Sequence, residues 1–491
     1  MIERRPVTAL YNETAVRRLD ATTIDTAGIP GLELMTRAGH AVCRALSHRF
    51  PGTQCVVVVC GVGNNAGDGY VVARAAARLG HAVRVVQLGN PENLGADART
   101  CYERLLADGI ETESELDALE LADVVVDGLF GIGLSRPVEG EYAAVVERIN
   151  ALAAPVISID SPSGIDANTG VRMGTAVSAS LTVTFIGRKP GLYTGDGPAH
   201  CGEILFDDLG VPPSVYEQVP PSANLLQARD LEGRFTPRPR TAHKGSHGHV
   251  LVVGGAPGFS GAIRLAGEAA ARTGAGLVSV ATHPDTAAGA NALRPELMVH
   301  AVGRTGELGP LVKRAGVIAI GPGLGQSPWA SALLGSVLDG SCPLVVDADA
   351  LNLLSREPVR SDRWILTPHP GEAARLLGVS TGDINADRLS AAAAIHEKFG
   401  GVVVLKGAGT VIADGGVPTV IGAGNPGMAS GGMGDVLTGV IAGFVAQGES
   451  LADAASFGAG VHAVAADRAA LGGERGLLAG DLMVHLRALV N

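Results

Sequence analysis

A series of short apolar runs, each closed by glycine, aspartate or asparagine, constrains this chain more than any other feature. CVVVVC (55–60), HAVRVVQLG (81–89), ADVVVDGLFGIGL (122–134), PVISIDSPSGID (155–166) and LTVTFIG (181–187) form one set. HVLVVGG (249–255), LVSVAT (277–282), VIAIGPGLG (317–325), LVVDADALNLL (344–354), WILTPHPGEAARLL (364–377) and VVVLKGAG (402–409) form another. Hydrophobicity that is continuous rather than alternating predicts strands buried on both faces, as in parallel sheets covered by helices. Segments such as YVVARAAARLG supply crossover helices. The 69 glycines and 3% aromatic content suit such packing, because small residues let helices lie close on a sheet. In open parallel sheets ligands bind beyond the carboxyl ends of the strands, so the polar strand ends of each set converge on a site.

The proline-marked stretches VPPSAN (219–224) and PRPRT (237–241) interrupt the alternation and place a domain boundary near residue 222. Two α/β domains follow, 1–221 and 222–491, within the three or so that the length allows. Their loops differ, so no internal duplication is read. Residues 8–50 read as helical, with Leu34, Ala38, Ala41 and Ala45 at helical spacing and Pro30 in a first turn. Residues 434–446, 451–471 and 479–489 read as further helices. The net charge of −11 argues against a nucleic-acid partner bound through a basic surface. Cys43, Cys55, Cys60, Cys101, Cys201 and Cys342 lack CxxC or zinc spacing and read as thiols of a reducing compartment. No apolar run follows the charged opening residues, and none approaches the roughly 20 residues of a membrane span. The expectation is a soluble, cytoplasmic protein.

The stretch NPGMASGGMGDVL (425–437) carries the sharpest chemistry. Its glycines let the backbone approach an anion, and the helix that follows offers unpaired N–H groups and a positive dipole end. A carboxylate beside a phosphate is unfavourable unless chemistry needs it, and Asp435 suits a base that deprotonates an attacking hydroxyl. A glycine loop closed by a helix-starting aspartate is the alternative. Elsewhere in this half, Asp347 and Asp349 end a strand. His369 lies between two prolines beside Glu372, and Lys406 precedes a glycine-rich turn. Each of these also has a purely structural reading.

In the first half, GVGNNAGDG (61–69) is neither GxGxxG nor a Walker loop. Its Asn64, Asn65 and Asp68 supply oxygens for a hard cation or for hydroxyls, and Asp127, Asp160 and Ser163 add more from neighbouring strand ends. FGIGLSRPVEG (130–140) is a second glycine-bearing loop suited to phosphate groups. Singly, these residues read as turn and cap residues; together they favour a site.

CGVGNNAGDG, DGLFGIGLSRPVEG and SIDSPSGIDANTG together resemble the NAD(P)H-hydrate epimerase domain, with Ala66 where that family commonly has glycine. The resemblance implies a Rossmann-like fold and a potassium ion held by Asn65, Asp127 and Ser163. It places the hydrated nucleotide on Asn64, Asn65, Ala66, Gly67, Asp68, Gly131, Ile132, Gly133, Leu134, Ser135, Arg136, Pro137 and Asp160, with Asp160 the candidate acid/base. HKGSHGHVLVVGG, GPGLG, VDADALN, TPHPGE and NPGMASGGMGDVLTG resemble the ADP-dependent NAD(P)H-hydrate dehydratase family, which is ribokinase-like. GGA (254–256) stands where that family has GGS, and no aromatic sits where a tyrosine is common. The resemblance implies adenine-nucleotide binding by Lys406, Gly407, Ala408, Gly409, Thr410, Asn425, Pro426, Gly427, Met428, Ala429, Ser430, Gly431, Gly432, Met433 and Gly434, with Mg²⁺ assisting. Ala262, Gly323, His369 and Asp435 would face the hydrate. The implied protein is a bifunctional repair enzyme, expected as a homo-oligomer, that epimerises NADHX and NADPHX and dehydrates the S form while consuming ADP. The alternative is a ribokinase-like small-molecule kinase with an N-terminal nucleotide-binding module.

Overall fold

The computed structural model of the chain describes residues 8–290 and 294–491. The opening segment read above for targeting lies, through residue 7, outside them. The chain divides into two compact units, Ala9–Ala223 and Asn224–Asn491, the latter joined by Thr8.

The chain opens with the short strand β1 (Thr8–Leu10) and two helices, Glu13–Ala27 and Gly31–Arg49, within the stretch expected to be helical. Gly28, at φ 68°, ends the first helix and Pro30 caps the second one residue ahead of its expected place. The sheet of the first unit comprises β2 (Cys55–Cys60), β3 (Ala82–Gln87), β4 (Thr112–Glu113), β5 (Val124–Gly128), β6 (Val156–Ile159), β7 (Leu181–Phe185) and β8 (Glu203–Asp207). They lie in the order β4-β3-β2-β5-β6-β7-β8, and every pairing is parallel. Val56 and Val58 pack with Val42, Leu46 and Val72 on one face, whereas Val57 and Val59 pack with Val145 and Ile149 on the other. Both faces are buried, which is why these strands read as unbroken apolar runs. Strand order reverses between β2 and β5, and such a switch point opens a crevice at the carboxyl ends.

The second unit repeats the principle on a larger sheet. Its strands are β9 (Ala223–Leu226), β10 (His249–Gly254), β11 (Leu277–Thr282), β12 (Met298–Ala301) and β13 (Val317–Ile320). β14 (Leu344–Val346), β15 (Trp364–Leu366), β16 (Val402–Leu405), β17 (Val411–Ala413) and β18 (Thr419–Ile421) complete it. The order β9-β18-β17-β16-β15-β14-β13-β10-β11-β12 places a second switch point between β10 and β13. Pairings are parallel from β12 to β16, antiparallel through β17 to β18, and parallel again at β9. Helices Ser260–Arg272, Met433–Ala446 and Leu451–Ala469 cover one face.

Two expectations change here. The asparagines at 64 and 65 were expected on a loop but lie in the first turn of helix Asn64–Arg78, because Gly63 occupies the cap position and leaves the residues after it free to turn. Residues 223–226, which begin inside the stretch 219–224 read as an interruption, form β9 and pair with β18.

Candidate active sites

In the first unit a cavity of about 630 Å³ opens at the switch point. The turn after β2 brings Asn64, Asn65 and Asp68 to it, the loop after β5 brings residues 131–136, and β6 brings Asp160. Not all expected residues arrive. Ala66 and Gly67 are buried, with Gly67 packed so closely on Met35 that an added Cβ would lie 2.4 Å from its Sδ, and Pro137 is exposed outside the cavity lining.

Asp160 has φ 66°, a left-handed conformation that is costly for aspartate and common at functional sites. Its Oδ1 accepts from Lys189 Nζ, from Thr184 Oγ1 at 3.2 Å and from the Phe185 amide at 3.1 Å. Lys189 is fully buried and also donates to Thr184 Oγ1 and the Phe185 carbonyl. Asp20 and Asp68 also line the cavity. Burial raises the Asp68 carboxyl well above its ordinary range, and it pushes Asp20 up to about 6. Neither Asp20 nor Lys189 was singled out from the sequence. Asp20, one of two aspartates on its helix, carried no motif; the lysine, three residues past Ile186 at the end of an apolar run, was the single available signal.

Beneath the cavity, Asp127 is fully buried and accepts from Ser163 Oγ (2.6 Å), Ser163 N (2.9 Å), Ser158 Oγ (2.9 Å) and Leu129 N (3.3 Å). Burial raises its pKa against those bonds. Asn65 donates from Nδ2 to the Phe130 carbonyl at 2.9 Å, and Ser163 Oγ lies 3.2 Å from the same oxygen. Asn65, Asp127, Ser163 and the Phe130 carbonyl therefore form one oxygen-rich cluster with a single carboxylate.

In the second unit the strand ends build a buried charge cluster. Asp347, after β14, accepts from Lys406 Nζ (2.7 Å), Thr367 Oγ1 (2.8 Å) and Thr438 Oγ1 (2.9 Å), groups that follow β16 and β15 and sit on helix Met433–Ala446. Lys406 Nζ is also 3.8 Å from Glu372. Burial works against the ammonium, but Asp347 and Glu372 outweigh it and raise its pKa. Expected on a phosphate, Lys406 is thus engaged with carboxylates. Asp347, left open by the sequence, is the hub. Asp349 instead accepts from the Gly325 amide and fixes a turn.

Gly434 lies over this hub: an added Cβ would be 3.3 Å from Lys406 Nζ and 3.6 Å from Asp347 Oδ2. Gly432, at φ 94°, turns the chain into the helix, and Asp435 follows in its first turn. Burial, then the charge of Asp347, push the Asp435 carboxyl up to about 7, while Lys406 opposes them. Behind the loop, burial lowers His462 to about 4, so it adds no charge at neutral pH.

The remaining candidates surround this centre. His369 caps helix Pro370–Leu377 through Nδ1, and its Nε2 faces Glu372 at 3.4 Å. Gly323 and Ala262 are neighbours, an added Cβ on the glycine lying 3.2 Å from Ala262 Cβ. Asn425 binds Asp467 and the Gly427 amide, and Ser430 donates to the Leu477 carbonyl. Gly407, at φ 144°, lies against the Arg388 guanidinium.

Two α/β units, each with ionisable groups gathered beyond the carboxyl ends of its parallel strands, define a two-domain enzyme with a separate chemistry in each half. Residues 250–487 match the family model described as NAD(P)H-hydrate dehydratase, and residues 31–191 match that described as YjeF-related protein N-terminus. The bifunctional NAD(P)H-hydrate repair enzyme of Coxiella burnetii is 48% identical over 99% of this chain and 100% of its own. That of Escherichia coli K12 is 42% identical over 99% and 94%. A ribokinase-like superfamily protein of Enterococcus faecalis superposes with a TM-score of 0.51 at 32% identity, covering 55% of this chain and 95% of its own. The chain belongs to the family of bifunctional NAD(P)H-hydrate repair enzymes, with an epimerase and a dehydratase in one polypeptide. The full-length match sets aside the small-molecule kinase.

Proposed function

We propose that residues 222–491 dehydrate the S hydrate at the expense of ADP, giving AMP and phosphate, with Asp435 as the base. One observation carries this reading: Asp435, its carboxyl pushed up to about 7, sits in the first turn of a helix behind a partly exposed glycine loop. Asp435 takes the proton of the ring hydroxyl as its oxygen attacks the terminal phosphoryl group. The phosphoryl–oxygen bond to AMP breaks, and the amides of Gly431, Gly432, Met433 and Gly434 stabilise the charge that develops. The ring nitrogen lone pair then expels phosphate, and loss of the neighbouring C–H proton restores the dihydronicotinamide. Lys406 offsets the Asp347 charge beneath the loop, keeping the anion site from being wholly negative.

The nucleotide lies on Lys406, Gly407, Ala408, Gly409 and Thr410 and on residues 425–434. The hydrate contacts Ala262, Gly323, His369 and Asp435. No three acidic, histidine or cysteine side chains gather into a metal cage among the described residues. That fits Mg²⁺, which binds chiefly through substrate phosphates and one or two carboxylates and neutralises phosphate charge there.

Residues 1–221 interconvert the R and S hydrates, with Asp160 as acid/base and the cavity residues around Asn64, Asp68 and 131–136 holding the substrate. Asn65, Asp127, Ser163 and the Phe130 carbonyl fit K⁺, since oxygen donors with a single carboxylate suit a weakly charged cation. K⁺ there supplies charge that fixes the 130–136 loop. The cysteines are free, consistent with a cytoplasmic setting, and no helix is long and apolar enough to cross a membrane among the described residues. Exposed Leu471, Leu478 and Val484 favour a homo-oligomer.

The test is recovery of dihydronicotinamide absorbance from pure S hydrate with ADP and Mg²⁺. Asp435→Asn is expected to lose at least about 100-fold in kcat while retaining nucleotide binding. Near-normal turnover would remove Asp435 from the mechanism.

A further inference from the structure

The epimerase cavity holds more ionisable groups than Asp160 alone requires. Asp160 commits Oδ1 to Lys189, Thr184 and the Phe185 amide. Asp20, on helix Glu13–Ala27, lines the same cavity, and its carboxyl makes no hydrogen bond or ion pair among the described residues. A half-buried carboxyl facing a cavity without a protein partner is costly unless a ligand uses it.

We propose that Asp20 is the second acid/base group of the epimerisation, protonating the departing hydroxyl while Asp160, paired with Lys189, deprotonates the entering water. The proposal rests on Asp160 as the first such group. Hydration of the ring's enamine double bond puts the hydroxyl on the carbon beside the nitrogen. Inverting that carbon breaks one C–O bond and forms another. As the first breaks, the nitrogen lone pair forms a C=N bond and the hydroxyl leaves as water with the Asp20 proton. Water then adds to the other face through oxygen, the C=N electrons return to nitrogen, and the water proton passes to Asp160. One water leaves and one enters, no electrons are exchanged with a redox partner, and the two carboxyls have swapped protonation states. The reverse epimerisation runs with their roles exchanged.

The surroundings favour Asp20 over Asp68 for this exchange. Asp68, on helix Asn64–Arg78, is raised well above the ordinary carboxylate range by burial and then by the charges of Asp160 and Asp20, with Lys189 opposing. Asp20 is raised to about 6, by burial and then Asp160, with Lys189 and Arg17 opposing, so it can both give and take a proton near neutrality. Asp97 and Arg136 complete the charged wall.

The experiment follows R–S interconversion by the full chain, without ADP, by chromatography in ¹⁸O-water. Asp20→Asn is expected to slow interconversion by about 100-fold or more with KM changed less than about threefold. Asp20→Glu recovers part of the rate. Both directions need the Asp20–Asp160 pair to hold one proton, so the wild-type kcat/KM falls in each direction as pH rises through about 6, and Asp20→Asn lacks that limb. Each wild-type inversion incorporates one solvent oxygen. Because the amide is isosteric and removes a buried charge, Asp20→Asn does not lower Tm. A rate within threefold of wild type, an unchanged pH profile, inversion without ¹⁸O, or loss of rate with a fall in Tm overturns the proposal. If Asp160→Asn is fast as well, the Asp160 assignment fails; if only Asp160→Asn is slow, Asp20 alone is excluded.

Discussion

Asp435 and Lys406 show how much one neighbouring charge decides at the scale of a residue. As the proposed base of dehydration, Asp435 must be ionised, so kcat/KM for S hydrate should rise with pH through about 7. Lys406 lowers the Asp435 pKa and Asp347 raises it. Lys406→Met should therefore move this limb to higher pH, and a shift of about one unit would cost roughly fivefold at pH 7 and about tenfold well below it. A pH–rate profile checks it; a limb that stays in place would show that Lys406 does not tune the base. The same raised pKa is a stability cost. A carboxyl that ionises near 4 when unfolded and near 7 when folded carries no penalty below 4, and the full penalty above 7. Asp435→Asn should thus raise Tm by roughly 2–4 °C at pH 8 and leave it unchanged at pH 4, read by thermal melts. The sequence placed Asp435 correctly on its helix because glycines and an aspartate have local meaning. It marked neither Asp20 nor the pairing of Lys406 with Asp347, because the partners of a lone charge are chosen by the fold.

At the scale of elements, long apolar runs were legible and short ones were not. Buried strands such as β2 and β10 stood out because both faces are covered. β12, at the sheet edge, has no fully buried position and so no continuous apolar run to mark it. The Asn64 turn was misjudged because Asn and Gly favour loops, and tertiary packing overrode that preference. Helix Met433–Ala446 lies close on helix Ser260–Arg272: a Cβ on Gly439 would stand 2.0 Å from the Ala266 carbonyl oxygen, with backbone on both sides. Gly439→Ala should force the helices apart and destabilise the second unit by about 2–4 kcal/mol, beyond any gain in helix propensity. Urea unfolding monitored with the dehydratase activity tests this. A change under about 0.5 kcal/mol would mean that the helices separate freely. Because that helix carries Asp435 and Thr438, the variant should also weaken dehydration.

At the scale of the molecule, each cluster of ionisable groups is assembled wholly from one unit: Asp20, Asp68, Asp160 and Lys189 within Ala9–Ala223, and Asp347, Glu372, Lys406 and Asp435 within Asn224–Asn491. No residue of one cluster belongs to the other, so the two reactions should be separable by substitution. Asp160→Asn should dehydrate S hydrate at the wild-type rate and recover R hydrate only as fast as it epimerises unaided. Asp435→Asn should do the converse, equilibrating the epimers without restoring dihydronicotinamide. Mixing the two variants should then restore complete recovery from R hydrate, because the S hydrate released by one chain is free to reach the other. Absorbance recovery from pure R hydrate with ADP, Mg²⁺ and K⁺ reads this directly. The mixture's rate should rise with the concentration of either variant, since the intermediate travels through solution. If the mixture stays as slow as Asp160→Asn alone while each variant keeps its own half-reaction, the hydrate passes between sites within one chain without release.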